Sequence, residues 1–301
     1  MPKIPTRSGA PLHANLLLAY LLGFVGVVIF GATLPVTRLA LADFSPWFIT
    51  FSRALLATIA ALAVLLVTAR SLTHEAGARI LLAGLFLIFG FPGCMAIAME
   101  TVPAAHGGVV LGFLPLATAA IAAAIAGERH GAIFWLASIL GAVLVVAFAL
   151  YRGGEIQEIG TLSRGDLWLF LAGFCASAGY VISGKLARSM PGWEVICRAL
   201  VYCLPITLIG TFATFEMRFV NASALGLASM AYLGLGSMFL GFFAWNTALA
   251  WGGIGRIGQV QLLQTFVTLA VSALLLGERI ELLTLLAALA VTGLVALSRR
   301  S

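Results

Sequence analysis

The chain of 301 residues is 62% hydrophobic and only 9% charged, with a formal net charge of +6. A soluble domain carries roughly 25% charged residues and could not bury so much apolar surface, so the composition excludes an ordinary soluble protein and indicates a membrane protein. The basic residues stand singly between apolar runs, which favours membrane-topology signals over nucleic-acid binding.

Ten apolar runs follow one another along the chain, separated by charged residues, prolines and glycines. Each is close to the roughly 20 residues that a helix needs to cross a bilayer. The sequence therefore predicts an all-α polytopic membrane protein with ten transmembrane helices. The predicted spans are 14–37, 47–68, 79–100, 104–126, 132–151, 166–188, 193–215, 224–250, 254–276 and 281–298.

The distribution of Lys and Arg predicts the orientation. If the N-terminus is inside, 11 of the 17 basic residues fall at cytoplasmic ends and loops and 6 on the opposite side. Because positive charge concentrates on the cytoplasmic side, we expect both termini to be cytoplasmic. The first apolar run is long enough to span and lacks an obvious cleavage site, so we expect no cleaved signal peptide. We predict a multi-pass protein of a bacterial-type inner (plasma) membrane.

Two short charged motifs recur half a chain apart. Gly127-Glu128-Arg129 returns as Gly277-Glu278-Arg279 after 150 residues, and Arg53-Ala54-Leu55 returns as Arg198-Ala199-Leu200 after 145 residues. This self-similarity predicts two units of five spans each. Because five is odd, the second unit would enter the membrane upside down relative to the first, as in secondary carriers that work by alternating access. The predicted units are 1–151 and 152–301.

Three stretches resemble the EamA-type carriers of the drug/metabolite transporter superfamily. They are FGATLPVTR in the first span, GFLPLATAAIAAAIAGER in the fourth, and FFAWNTALAWGGIGRIGQVQLLQTFVTLAVSALLLGER in the eighth and ninth. The chain looks most like the aromatic amino-acid exporter branch. The resemblance implies ten helices, cytoplasmic termini and export of small metabolites. One departure is Thr265, which stands in the second half where the first half has Pro115.

Polar side chains inside the spans are the first candidates for a substrate cavity. An amide in lipid needs a partner or water, so Asn246, Gln261 and Gln264 are predicted to face a cavity, with hydrogen bonding between helices as the alternative. Tyr180 in the sixth span is a further candidate.

Bulky apolar side chains are the second class of cavity candidates. Met95, Met99 and Trp245 would suit a pocket for apolar groups, although each alone is more often core or lipid-facing. Pro92 in span 3 and Pro115 in span 4 are predicted to bend their helices and so permit gating.

Several charged groups are candidates for gating or for binding the charged end of a substrate. Arg53 and Arg198 follow a tryptophan by five or six residues, so each either reaches the headgroups or serves as a gate. Lys185 near the end of span 6 is a candidate of the same kind. Glu100 and His106 flank one short loop and form either a pH-sensing pair or two unrelated interfacial residues.

The two Gly-Glu-Arg motifs are predicted to close tight hairpins. Gly127 and Gly277 suit the left-handed position that ends a helix. Glu128 and Glu278 would then face the start of the next helix, whose dipole favours a carboxylate.

All Asp and Glu residues fall at predicted span ends or in loops, which disfavours a proton relay or a sodium cage and favours facilitated diffusion or exchange. The stretch HEAGA at 74–78 lacks the second histidine of a zinc-protease motif, and we predict no enzyme activity, no metal and no cofactor.

We predict an exporter or facilitator of small amphipathic metabolites, with amino acids that carry aromatic or bulky apolar side chains as the favoured substrates. It would act as a monomer or weak dimer in the bilayer. The alternatives are a broad drug/metabolite efflux carrier and a nucleotide-sugar or sugar-phosphate exchanger, which would require several basic groups converging on the cavity.

Overall fold

The computed structural model describes residues 12–126, 131–150, 163–187, 189–252 and 260–298. Within these ranges every regular element is a helix and no strand occurs, which confirms the predicted all-α class. The α-helices are α1 Leu12–Gly31, α2 Thr33–Ala40, α3 Pro46–Val67, α4 Gly77–Gly84, α5 Phe91–Ala98, α6 Ala104–Val110, α7 Leu114–Ala126, α8 Ala132–Leu150, α9 Arg164–Leu186, α10 Gly192–Tyr202, α11 Leu204–Ala213, α12 Ala224–Ala231, α13 Phe242–Gly252, α14 Leu263–Leu276 and α15 Leu282–Ser298. The other helical segments are π-helical at Leu85–Gly90 and Tyr232–Gly241, and 3₁₀ at Leu111–Phe113, Met217–Asn221 and Val260–Leu262.

Five helical stretches of the described chain are long and apolar enough to cross a membrane, and a sixth results if α10 and α11 form one bent span. The five are Leu16–Ala40, Pro46–Val67, Gly77–Ala98, Arg164–Leu186 and Ala224–Leu249. Shorter apolar helices lie at Ala104–Thr118, Leu263–Leu276 and Leu282–Leu294. The fold is therefore that of a multi-pass helical membrane protein, and the full set of ten spans stays a prediction.

The predicted span 193–215 is not one straight helix. Helices α10 and α11 meet at Cys203 with a bend of 52°. Pro205 is the second residue of α11; it has no N–H to donate, and its ring crowds the carbonyl four residues earlier. The sequence predicted one span over this stretch and did not include the bend at this proline.

Two spans contain π-helical turns near their middles. The segment Leu85–Gly90 ends just before Pro92, which is the second residue of α5. The segment Tyr232–Gly241 joins α12 to α13. Turns of π-helix are rare in proteins, and those that occur are often found at functional sites. The space next to these two segments is therefore the first candidate for a site.

The outer surface carries large apolar side chains over much of its area. Val67 is 87% exposed, Leu274 82% and Phe212 76%. A soluble monomer rarely exposes contiguous apolar surface of this kind, whereas lipid accommodates it without cost.

Helices from the first half of the chain pack against helices from the second half in the interior. Helix α1 packs along α13, α5 along α9, and α8 along α15, while α10 contacts both α3 and α13. Any cavity at the centre is therefore bordered by both halves of the chain.

The second Gly-Glu-Arg motif closes a turn as predicted. Helix α14 ends at Leu276, and Gly277 follows with φ of +64°, a conformation that side chains with a Cβ rarely adopt. The first motif, at residues 127–129, lies outside the described residues.

Candidate functional site

A narrow interior cavity lies beside both π-helical segments, and we call it the aromatic cavity. As it stands, it has room for about one water molecule. Rings form much of its wall, and the ring centroids of Phe30 and Phe242 lie 4.9 Å apart. Its lining residues are Phe30, Thr33, Arg53, Leu87, Phe91, Pro92, Tyr180, Ser237, Met238, Phe242 and Gln264.

A second, more polar cavity adjoins the first, and we call it the glutamine cavity. Gln264 borders both cavities, so the two form neighbouring compartments. The second cavity also holds about one water molecule. Its lining residues are Leu34, Gly108, Leu111, Gly112, Leu114, Gln261, Gln264, Thr265, Thr268 and Thr292.

Arg53 lies in the wall of the aromatic cavity. Its side chain is buried, with 2% of the residue exposed, so it does not reach toward headgroups as one of the two sequence interpretations required. Its Nε donates to the Leu233 carbonyl at 3.2 Å, and its Nη2 donates to the Ser237 hydroxyl at 3.1 Å. Both partners belong to the π-helical segment 232–241, where the wider turn changes the regular carbonyl pairing.

The amide candidates occupy different places. Gln264 lines both cavities and Gln261 lines the glutamine cavity, and each has one buried amide atom without a partner in the described chain: Oε1 of Gln264 and Nε2 of Gln261. Asn246 is buried with an unpartnered Nδ2, but it borders neither cavity. A buried polar atom without a partner costs free energy, so the two glutamines are groups that an incoming polar ligand would satisfy.

The aromatic and apolar candidates also occupy different places, and of these only Tyr180 lines a cavity. Tyr180 lines the aromatic cavity, with its ring centroid 6.3 Å from that of Phe242. Trp245 packs edge-on to Phe30 at 6.4 Å, behind the cavity wall. Met95 and Met99 are fully buried in a cluster that includes Leu169, and neither of them lines either cavity.

Both prolines that were predicted to bend their helices lie next to a turn that is not α-helical. Pro92 lines the aromatic cavity, next to the π turn at Leu85–Gly90. Pro115 is the second residue of α7 and follows the 3₁₀ turn Leu111–Phe113, and the bend predicted there stays a prediction.

The start of α6 is tied to α2 and to the loop that follows α14, and we call this region the Ala104 end. Arg38 Nη1 donates to the Val102 carbonyl at 2.5 Å. The Glu278 carboxylate accepts from the backbone N–H groups of Ala104 and Ala105 at 2.9 and 2.8 Å. Glu278 thus faces a helix start as predicted, but the helix is α6, far away in the sequence, and not the one that follows it.

His106, the third residue of α6, has Asp166 as its partner and not Glu100. The distance from His106 Nε2 to Asp166 Oδ1 is 2.9 Å, and the imidazole stacks on Phe148 with 4.9 Å between centroids. Asp166 also closes the capping box of α9, since its Oδ2 accepts from the Ser163 hydroxyl and backbone N–H. Glu100 is exposed to the surroundings.

The loop between α2 and α3 is joined by hydrogen bonds to the start of α12. Asp43 accepts from the hydroxyl and the backbone N–H of Ser223, at 2.6 and 3.1 Å. These two hydrogen bonds hold the pKa of the Asp43 carboxyl below its ordinary value. The contact is therefore kept at neutral pH and is lost on acidification.

Arg198 is paired inside a cluster that we call the Arg198 end. Its Nε and Nη2 donate to Glu194 Oε1 at 2.8 and 2.5 Å, and its Nη1 donates to the Thr73 carbonyl at 2.7 Å. Lys185 is exposed near the end of α9. Of the basic candidates, therefore, Arg53 is the one that borders a cavity.

Neutralising Glu278 tests the link to α6. Glu278→Gln keeps one acceptor but loses the charge that two N–H groups at a helix start favour, so the free energy of unfolding should fall by about 1–2 kcal/mol. The exposed Glu281 offers the control, since Glu281→Gln removes the same charge three residues away and should change stability by less than about 0.5 kcal/mol. Thermal unfolding of the purified protein in detergent would measure both, and equal Tm values would contradict the role given to Glu278.

Two cavity residues, Thr33 and Ser237, were not singled out by the sequence. Their hydroxyls lie 2.8 Å apart, joining residues 204 positions distant in the chain, and Ser237 also accepts from Arg53. The available signal was a hydroxyl in the middle of an apolar span, but spans contain several such groups and only packing shows which ones meet.

Comparison with known proteins agrees with this architecture. The model of the EamA-like transporter family matches residues 17–151 and again residues 163–299. The chain is 38% identical to the uncharacterized transporter YdeK of Bacillus subtilis (strain 168) over 92% of this chain and 96% of the relative. It is 23% identical to the uncharacterized transporter YyaM of the same organism, over 86% of each chain.

A solved crystal structure shares the fold at low sequence identity. It superimposes with a TM-score of 0.64 at 18% identity and covers 93% of this chain and 97% of the other. The two family matches together cover most of the sequence, and YdeK matches it almost from end to end. The chain belongs to the EamA-like transporter family of membrane carriers.

Proposed function

We propose that this transporter moves small amphipathic metabolites through the aromatic and glutamine cavities, and that its substrates are amino acids with aromatic or bulky apolar side chains. The observation that carries the proposal is the shared position of Gln264, which joins a wall of rings to a polar compartment. A zwitterion with an apolar side chain needs both kinds of surface.

The aromatic cavity supplies the apolar surface. Phe30, Phe242 and Tyr180 would surround the side chain of the substrate, and they come from both halves of the chain. The unpartnered amide atoms of Gln261 and Gln264 would bind its polar end. Hydrogen bonds to a charged group are each worth about 1.5–3 kcal/mol, enough to fix the orientation of a small ligand.

We propose alternating access as the mechanism, with ten spans in two inverted five-helix units, 1–151 and 152–301, and both termini in the cytoplasm of a bacterial-type cell. The narrowness of both cavities fits an occluded state, because neither could admit an amino acid without movement of the helices. The polar contacts at the Ala104 end and at the Arg198 end would break in turn as the site opens to each side.

Nucleotide-sugar or sugar-phosphate exchange has less support. Such substrates call for several basic groups around the site. In the described chain Arg53 is the basic residue in the cavity walls, while Arg198 is held by Glu194.

Uptake into proteoliposomes, with a panel of labelled amino acids, tests the proposal. We expect saturable, mutually competitive uptake of aromatic and bulky apolar amino acids, with counterflow and with no dependence on a pH gradient. Gln264→Ala should raise KM about tenfold because it removes a hydrogen bond to the substrate. Asn246→Ala removes an amide that borders neither cavity and should change KM much less.

Two results would contradict parts of the proposal. Failure of every aromatic amino acid to compete for uptake would remove the substrate class. An equal loss in Asn246→Ala and Gln264→Ala would show that the site is not at these two cavities.

A further inference from the structure

We propose that Arg53 binds the carboxylate of the transported molecule, so that the carrier accepts substrates with a carboxylate and rejects amines that lack one. This inference rests on the transport function proposed above and names the group that the site selects. It starts from a charge in the cavity wall for which the described chain supplies no counterion.

The guanidinium of Arg53 is held in place but not neutralised. Its Nε and Nη2 donate to the Leu233 carbonyl and the Ser237 hydroxyl, both neutral groups, and Nη1 is buried without a partner. No carboxylate of the described chain pairs with it. Burying a charge without a counterion is unfavourable, so the residue is suited to receive an anion that arrives from outside.

Arg198, in the repeated Arg-Ala-Leu motif, shows what such a residue looks like when its charge is satisfied. Four residues before Arg198 stands Glu194, which accepts from both Nε and Nη2. Four residues before Arg53 stands Ile49, which is buried in an apolar cluster. The chain thus provides an internal carboxylate for one arginine and leaves the other, which borders the cavity, without one.

The surroundings of Arg53 fit a carboxylate attached to an apolar body. Arg53 shares the aromatic cavity with Phe30, Tyr180 and Phe242, and none of the residues that line this cavity is acidic. A guanidinium binds a carboxylate in a planar, directional arrangement that a lone ammonium cannot match. An amine without a carboxylate would meet the positive charge of Arg53 and nothing to offset it.

Ligands with one body and different end groups test the charge selectivity directly. The probes are 3-phenylpropanoate, phenethylamine, 3-phenylpropanol and phenylalanine, added to the full-length protein in detergent, with the ligand-induced rise in Tm as the measure of binding. We expect 3-phenylpropanoate and phenylalanine to raise Tm, 3-phenylpropanol to raise it less, and phenethylamine to have no effect.

A matched pair of variants at Ser237 supplies the second test. Ser237→Asp places a carboxylate beside Arg53, whereas Ser237→Asn places a neutral group of nearly the same shape there. We expect Ser237→Asp to bind 3-phenylpropanoate about 30-fold or more weakly than Ser237→Asn, because the internal carboxylate occupies the guanidinium. Without ligand, Ser237→Asp should have the higher Tm of the two, because the buried charge has gained a counterion.

A third variant covers the case in which Ser237→Asp does not fold. Arg53→Gln should lose binding of 3-phenylpropanoate and phenylalanine while binding of 3-phenylpropanol is retained. A purely structural arginine would weaken all three ligands alike.

The outcomes separate this inference from the proposed function. Equal binding of phenethylamine and 3-phenylpropanoate, failure of both carboxylates to bind the wild-type protein, or unchanged carboxylate affinity in Ser237→Asp would overturn the role of Arg53. Phenylalanine uptake that persists in Ser237→Asp would do so while leaving the transport proposal intact. Carboxylate binding that depends on Arg53, without uptake of any amino acid, would support the inference and contradict the proposed substrate.

Discussion

Gly192→Ala is expected to lower the free energy of unfolding by about 3 kcal/mol, at the upper end of what overpacking costs. Gly192 is the first residue of α10, and a Cβ there would overlap the backbone carbonyl of Asn246 in α13. A backbone atom in the middle of a helix cannot turn aside as a side chain can, so the two helices would have to separate. Thermal unfolding in detergent, followed by size-exclusion chromatography, would measure the loss.

Gly293→Ala is the matched control for this steric effect. A Cβ at Gly293, in α15, would meet no atom within 4 Å, and alanine favours a helix by up to about 1 kcal/mol over glycine in water. The control should therefore be neutral or slightly stabilising. If both substitutions gave the same Tm, the close approach of α10 to α13 would not be as described.

The class of the protein was predictable because it depends on sums over many residues. Apolar runs of membrane length survive any error in a single position, which is why the helical, multi-pass character followed from composition alone. The break at Cys203 could not be predicted from Pro205 alone, because a proline inside an apolar run is tolerated in membrane helices often enough that it does not by itself show a bend.

The site was predictable only as a set of residue types. Gln264, Gln261, Tyr180 and Arg53 were candidates, and all four border a cavity. Which neighbouring helix a residue faces depends on how its own helix is rotated about its axis. This rotation is set by packing between segments that are distant in sequence. The π turn that brings Ser237 to Arg53 shifts that rotation locally, and nothing in the sequence marks its register.

The partners of charged residues were the least predictable feature. Glu278 was expected to face the start of the next helix, and it binds the start of α6 because the ends of α14 and α6 are neighbours in space. The distance in sequence between the partners is 174 residues, so only the tertiary arrangement brings them together.

Glu194→Gln is expected to be the most damaging change of a single charge, lowering the free energy of unfolding by about 3–5 kcal/mol, because it leaves the guanidinium of Arg198 buried without its counterion. Both residues are almost fully buried, with 3% and 4% exposed, and Glu194 Oε1 accepts two hydrogen bonds from Arg198. Urea or thermal unfolding of the purified protein would measure the change.

Removing both members of the pair distinguishes the destabilisation caused by one unpaired buried charge from the net contribution of the ion pair to stability. Glu194→Met combined with Arg198→Met should recover most of the stability lost in Glu194→Gln, because two apolar side chains need no counterion. Arg70 provides the control: its side chain is 51% exposed and lies 3.8 Å from Glu194, so Arg70→Ala should cost no more than about 1 kcal/mol. A double variant no more stable than Glu194→Gln would show that the pair contributes more than mutual neutralisation. The contrast between this self-neutralised arginine and Arg53, on which the selection of a carboxylate depends, would then lose its physical basis.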